Sequence, residues 1–364
     1  MGSRTGGVGR PKTGRSAGRG ICRAKRTGRR GAGAAVLLPL LAVLAASVLA
    51  ASPVGGSTHK RAADLAWVTT EGSVTEPGSA VTPVNLTSHT VEPKVTVGTL
   101  PAAASLPSAM SFTRGDASLL VVTRGDDMLS EVDPATRHVV RRTTVGLEPD
   151  AVAVAPGGTD NLGIALVADL GSNAVTPVDL GTWKAGAPIP VGGEPVAIAV
   201  AAGTAFVADF GSNQITPVDL ATLSAGAPIS VGPGPQTVAV AGATALVGSF
   251  GNDTVTPIDT RTLQPGAAVA VPVDPTGIAV TSAGTMAYIS GGDSIVPVAL
   301  PGLAVGSPIQ LRSVAQALSL APGDKEAWVA LQTGSLVEVS LAAGTVGRTI
   351  HLGGHPSAVV IAGG

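Results

Sequence analysis

The stretch VADLGSNAVTPVDL, Val167 to Leu180, returns almost unchanged as VADFGSNQITPVDL, Val207 to Leu220. A third copy, VGSFGNDTVTPIDT, occupies 247–260, and a fourth, YISGGDSIVPVAL, occupies 288–300. Pro177, Pro217, Pro257 and Pro297 set a spacing of 40 residues. A fixed period of that length makes the chain an array of like units, each presenting the same face to its neighbour, as in a solenoid or a propeller. A single domain of mixed topology has no physical reason to keep it.

Each unit reads as four short strands. In 194–232 these are EPVAIAV, TAFVADF, NQITPVDL and AGAPISV, with GSN between the second and third as a tight turn whose Gly and Asn accept positive φ. The first strand is apolar at nearly every position, as a strand buried on both faces must be. The fourth is more polar in divergent copies, for example HVVRRTTV at 138–145, which suits an outer edge. The 49 glycines and 28 prolines are too many for a helical protein and are the punctuation of many short strands.

Complete units begin near Leu106, Glu148, Glu194, Gly234, Asp274 and Arg312. Residues 65–98 hold a second, third and fourth strand but no first. The missing one stands at the other end, where HPSAVVIA at 355–362 matches EPVAIAVA. An open solenoid needs polar caps, whereas here the two ends complete each other. The expectation is therefore an all-β chain: a seven-bladed β-propeller over 65–364, built of four-stranded antiparallel blades. A C-terminal strand completes the N-terminal blade and closes it.

Charge is divided unevenly. Ten of the 23 Lys/Arg and none of the 24 Asp/Glu fall in residues 1–50, so the rest of the chain holds 13 basic against 24 acidic side chains. Phosphate backbones need a basic face, and an acidic repeat domain offers none, so no nucleic-acid partner is expected. Residues 1–31 are Arg/Gly-rich without an apolar period and read as a disordered leader. The uncharged stretch 32–52 follows as one apolar helix, with small residues at its end. A basic segment followed by an apolar one spells an export signal. Cleavage after Ala50 would leave small residues where a signal peptidase needs them; an uncleaved anchor is the alternative, because about 20 apolar residues just span a bilayer. Residues 53–64 are a linker. The domain is thus expected outside the cytoplasm, secreted or tethered, touching a membrane only through the N-terminal segment. The single cysteine, Cys22, lies in the leader, so the repeats carry no disulfide.

The run ALVADLGSNAVTPVDL…GAPIPVGGEPVAIAV resembles the YVTN family of β-propeller repeats, found in many exported bacterial and archaeal surface proteins. The likeness covers 65–364, strongest in blades 3 to 5 and weakest in blades 2 and 7. It implies the fold, with a shared unit length, turn and VG…P junction. It says little about activity, since related seven-bladed propellers include lactonases and cofactor-binding dehydrogenase subunits. The third strand of this chain departs from the family's usual valine with Pro83, Pro177, Pro217, Pro257 and Pro297. A mid-strand proline loses a ladder hydrogen bond, and five copies at one position predict a repeated bulge.

In such blades the 2–3 turns and the 4–1 junctions emerge on one face, around the mouth of the central channel. The turns supply Asp126, Asp127, Asp169, Asn173, Asp209, Asn213, Asn252, Asp253 and Asp293, residues that ordinarily cap backbone groups in their own turns. The residue before the junction proline is Glu148, Glu194, Asp274 and His355 in four of the blades. Three carboxylates and an imidazole at one channel mouth suit a ligand, or a hard cation such as Ca²⁺ held by oxygen atoms. The plainer reading is a solvated rim, in keeping with Leu106 and Gly234 at the same position. No further cofactor is expected, and no HExxH, P-loop or dinucleotide fingerprint occurs. The two RGD triplets, 114–116 and 124–126, read as turns. Trp67 and Trp328 fall on second strands and read as core, and Trp183 as an exposed contact. These features favour a non-enzymatic, monomeric binding or scaffold module at the cell envelope, with a protein, a polysaccharide or a small ligand as partner. The rival is a lactonase-like or metal-dependent hydrolase working at the channel mouth.

Overall fold

The computed structural model describes residues 65–73, 76–99 and 106–363; the expectations for 1–31, 32–52 and 53–64 lie outside them. Within these residues the chain is all-β, with short 3₁₀ turns and no α-helix. Seven sheets follow one another, each of antiparallel strands in the order first, second, third, fourth. Blade 4 shows the pattern: Pro195–Ala201, Thr204–Asp209 and Gln214–Asp219, then a fourth strand in two pieces, Ser224–Ala225 and Ile229–Ser230.

The alternation of side chains along a strand explains how blades stack. In blade 4, Ile198, Val200, Ala205 and Val207 pack towards blade 3, beside Leu166 and Val175. The intervening Ala197, Ala199, Phe206 and Ala208 pack towards blade 5, beside Val238 and Val247. One strand thus feeds two interfaces with a period of two, which is why the first and second strands read as unbroken apolar runs. The apolar core lies between blades, and it is made mostly of Ala, Val, Leu and Ile because adjacent sheets face each other closely.

The seven first strands each pack against the next, and His355–Ile361 packs against both Ala315–Leu320 and Pro107–Phe112, so the ring is closed. The same segment pairs with Leu65–Ser73 through Ala66↔Ile361, Trp67↔Val360, Val68↔Val359 and Thr69↔Ala358. The split blade expected from the two chain ends is therefore a hydrogen-bonded sheet. Trp67 and Trp328 are fully buried, as second-strand positions require.

The outer strands differ from the expectation of one continuous fourth strand. They are unbroken only in blade 2, His138–Thr144, and blade 7, Thr345–His351. In those blades the third-strand position taken elsewhere by proline is Glu131 and Glu338, opposite Leu120 and Trp328. Where proline stands, its carbonyl accepts a hydrogen bond from the outer strand: from Glu92 for Pro83 at 2.9 Å, and from Gly186, Gly226, Gly266 and Gly306 for the other four, each at 2.7–2.8 Å. The N–H that proline lacks would have pointed the same way, so the outer strand opens there. An extra residue does lie in the fourth strand opposite the proline, but blades 2 and 7 carry a register shift at the same place opposite Glu131 and Glu338, so the bulge belongs to the blade and the proline only opens it further.

Candidate functional site

The 2–3 turns and 4–1 junctions do share a face, and they are bonded to one another. In blades 2, 3 and 4 the last turn residue is left-handed: Asp127, Asn173 and Asn213, with φ of 53°, 52° and 55°. Its side-chain oxygen accepts the N–H of the next junction residue: Glu148 at 2.7 Å, Glu194 at 2.8 Å and Gly234 at 2.8 Å. The turn residue therefore clamps the following blade, where the sequence predicted a cap within its own turn. The junction carbonyls of Glu148, Glu194 and Gly234 then accept from Leu170, Phe210 and Phe250 of their own blade's turn. Turn, junction and turn form one hydrogen-bonded arc over blades 2 to 5.

Glu148, Glu194, Asp274 and His355 all lie at this rim with exposed side chains. The structure does not gather them: among the described residues no three His, Cys, Asp or Glu side chains meet at metal-ligating spacing. Asp274 has a different partner. Its carboxyl hydrogen-bonds that of Asp253, which, with partial burial and the Asp253 charge, raises its pKa above the ordinary carboxylate value. Glu148 and Glu194 hold left-handed backbone, φ 51° and 55°, at the position where blade 5 has Gly234 at 61°.

Asp169 and Asp209 are not rim residues. Both are fully buried at the ends of second strands. Each accepts a 2.5 Å hydrogen bond from the threonine before the third-strand proline, Thr176 and Thr216. Burial pushes Asp169 up to about 7 and Asp209 up to about 6. A Cβ on junction Gly146 would stand 2.6 Å from the Asp169 carboxyl, and one on Gly192 would stand 2.5 Å from that of Asp209. The glycine of the VG…P junction is thus needed for the close approach of a buried carboxyl. Blade 5 has Ser249 there, and neither Ser249 nor Thr256 has a side-chain partner.

A second ring of polar residues escaped the sequence reading. In six blades the inner strand carries an extra, bulged residue near its junction end, polar in all but blade 4: Ser108, Asp150, Val196, Gln236, Gln316 and Ser357. Ser357 donates to the Pro107 carbonyl at 3.1 Å and Ser108 to that of Pro149 at 2.7 Å, tying each inner strand to the next. Asp150 is ion-paired with Arg124 of the preceding blade. That Arg124, and Asp126, which accepts from Thr99 at 3.1 Å, place the second RGD triplet in structural bonds. The sequence signal was the polar residue that follows the junction proline at Ser108, Asp150, Gln236 and Ser357. Trp183 is half-buried with Arg141 4.5 Å above its ring, so it is a packed cation–π partner and not an exposed contact.

No protein-family model and no curated protein matches the chain. Its fold is similar to that of a functionally unknown protein from Desulfotomaculum acetoxidans, with 13% identity, TM-score 0.70, and 82% of this chain and 99% of that one covered. It is also similar to the hydrazine synthase of Kuenenia stuttgartiensis, at 16% identity and TM-score 0.63, covering 69% and 88% of the two chains. A third likeness is to the dihydro-heme d1 dehydrogenase NirN in complex with DHE, at 13% and 0.58, covering 87% and 79%. At such identities these define the class, a seven-bladed β-propeller.

Proposed function

We propose that this chain is a non-enzymatic binding or scaffold module of the YVTN-like kind, carried outside the cytoplasm by its basic leader and apolar segment. It works as a single copy and offers the face of its 2–3 turns to a partner. The observation that carries this reading is how the polar groups of that face are used. Asp127, Asn173 and Asn213 are spent on backbone N–H groups of the next blade, and Asp169 and Asp209 are buried within their own blades. What remains exposed is a rim bearing Glu148, Glu194, Asp274 and His355, spread over blades 3, 4, 6 and 1 and not grouped at metal-ligating spacing among the described residues. A hydrolase needs convergence; recognition needs only a shaped and charged surface.

The metal-dependent hydrolase is the second reading, and the Asp253–Asp274 carboxyl pair is what speaks for it. Thermal melting of the purified chain in EDTA, then in millimolar Ca²⁺, Mg²⁺ or Mn²⁺, separates the two. The same scan is run on the Glu148→Gln/Glu194→Gln/Asp274→Asn variant. The binding-module reading expects no cation-specific shift in either protein. A shift in the wild type alone would place a cation at the rim and favour the hydrolase.

A further inference from the structure

The rim over blades 3 to 6 is chemically one-sided. From Glu148 to Asp293 it carries the carboxylates of Glu148, Glu194, Asp253, Asp274 and Asp293. The only basic residues of that span, Lys184 and Arg261, sit at the 3–4 turns on the opposite face. Between the acidic groups stand apolar ones. Leu147 is 57% exposed and Phe250 38%, while Phe210 is half-buried against Gly234. The hydrogen bonds of the arc fix the sequence of features along it: Leu147 and Glu148, Leu170, Glu194, Phe210, Gly234, then Phe250, with Asp274 at the matching junction of the next blade. Acidic and apolar groups alternate on a backbone held in place before any partner arrives.

We infer that this arc docks an extended basic polypeptide segment in which cationic and apolar side chains alternate along one edge. The inference rests on the binding-module reading above. Charge selects the sign of the partner, because an anionic polymer would meet five carboxylates against one exposed cation, Arg312 of the blade 7 junction. The exposed phenylalanine and leucine select a polypeptide over a polyamine, whose charges are joined only by short methylene runs. An extended strand presents every second side chain to one side, so it can offer cationic and apolar groups in turn to the acidic and apolar groups of the rim. Two details agree. Asp253 and Asp274 share a hydrogen bond that a docked ammonium or guanidinium would replace with a pair of opposite charges. Glu148 and Glu194 keep carboxylates at backbone positions better suited to glycine, which blade 5 uses.

The test uses the full chain and a fluorescent Lys-Ser-Leu-Ser repeat of about sixteen residues, which in extended form alternates Lys and Leu along one edge. Anisotropy should show saturable, salt-sensitive binding. It should weaken about tenfold or more in Glu148→Gln/Glu194→Gln/Asp274→Asn and severalfold in Leu147→Ser/Phe250→Ser. The opposite-face control Asp160→Asn/Glu326→Gln should bind like the wild type, and circular dichroism should show all variants folded. Equal binding by the triple variant overturns the inference. So does tighter binding of spermidine, or equal binding of the Glu-Ser-Leu-Ser repeat. Rim-dependent binding of a neutral glycan with no peptide binding sinks this partner class and leaves the binding module standing. A cation-dependent rise in melting temperature that needs the same carboxylates would sink both.

Discussion

Asp169 and Asp209 show what a single residue costs and contributes in this repeat. Each is a fully buried carboxyl whose charged form lacks water, and the hydroxyl of Thr176 or Thr216 offsets part of that penalty. Thr176→Val or Thr216→Val should therefore destabilise by roughly 1–3 kcal/mol in urea unfolding. Thr256→Val should change little, since its hydroxyl has no partner. Folded pKa values raised to about 7 and about 6 set the sign of the pH response. Below the ordinary carboxylate pKa both states are protonated and the stability from these groups is fully present; it is lost as pH rises through 6 to 7. Between pH 5 and 8 the wild type should lose roughly 2–5 kcal/mol that Asp169→Asn/Asp209→Asn retains, read from urea midpoints at each pH. The exposed Asp219 and Asp259, whose pKa values are lowered by backbone N–H groups of their turns, stay ionised across this window and do not obscure it. At the rim, Glu194→Gly should raise stability by about 0.5–1 kcal/mol, because left-handed backbone strains glutamate and not glycine.

At the scale of elements, the third strand and the outer strand are designed together. Proline at 177, 217, 257 and 297 removes a donor, and a glycine nine residues later lets the outer strand bend around the ring. A Cβ at Gly306 would come within 2.9 Å of the Pro297 ring. Gly306→Ala should thus cost about 1–2 kcal/mol, and most of that should vanish in the Pro297→Ala background, a coupling that a double-mutant cycle in urea measures. The same logic governs the junction. Gly192→Ala would press a methyl into the Asp209 carboxyl and should cost more, about 2–3 kcal/mol. Blades 2 and 7, with Glu131 and Glu338 in place of proline, keep the outer strand continuous but still shift its register at that position, so the proline widens a bulge that the blade has anyway.

Over the whole molecule, stability depends on closure. The cores lie between blades, so an open ring leaves two interfaces bare, one of them holding Trp67 and the other Trp328. Removing residues 355–364 would expose the inner edge of the N-terminal blade. It would also break the Ser357 bonds to Thr69, 2.7 Å, and to the Pro107 carbonyl. That truncation should abolish a cooperative melt, and an unchanged transition would refute closure as the organising principle. Closure also sets orientation. Leu65 starts a second strand and Ile361 ends a first strand, so both chain ends of the propeller meet the face opposite the acidic rim.

The period, the turn chemistry and the split repeat were all legible in the residues, because each blade repeats one local problem and solves it with the same letters. Pro177 to Pro297 pointed to a bulge that blades 2 and 7 carry without proline, and HPSAVVIA announced closure. The candidate rim was legible too, since Glu148, Glu194, Asp274 and His355 stand at one position of the repeat. Which polar groups remain available was not legible. Asn173 looks like any turn asparagine until the Glu194 N–H arrives from the next blade, 21 residues on. Asp169 and Asp127 look alike in the sequence, yet one is sealed under Gly146 and the other clamps a junction. The sequence by itself determined the unit, the number of units and how the ring closes, because those follow from local hydrogen bonding and side-chain alternation. Only the tertiary structure decided which carboxylates are buried, which are spent on backbone and which face solvent, because that depends on contacts between blades that no single repeat contains.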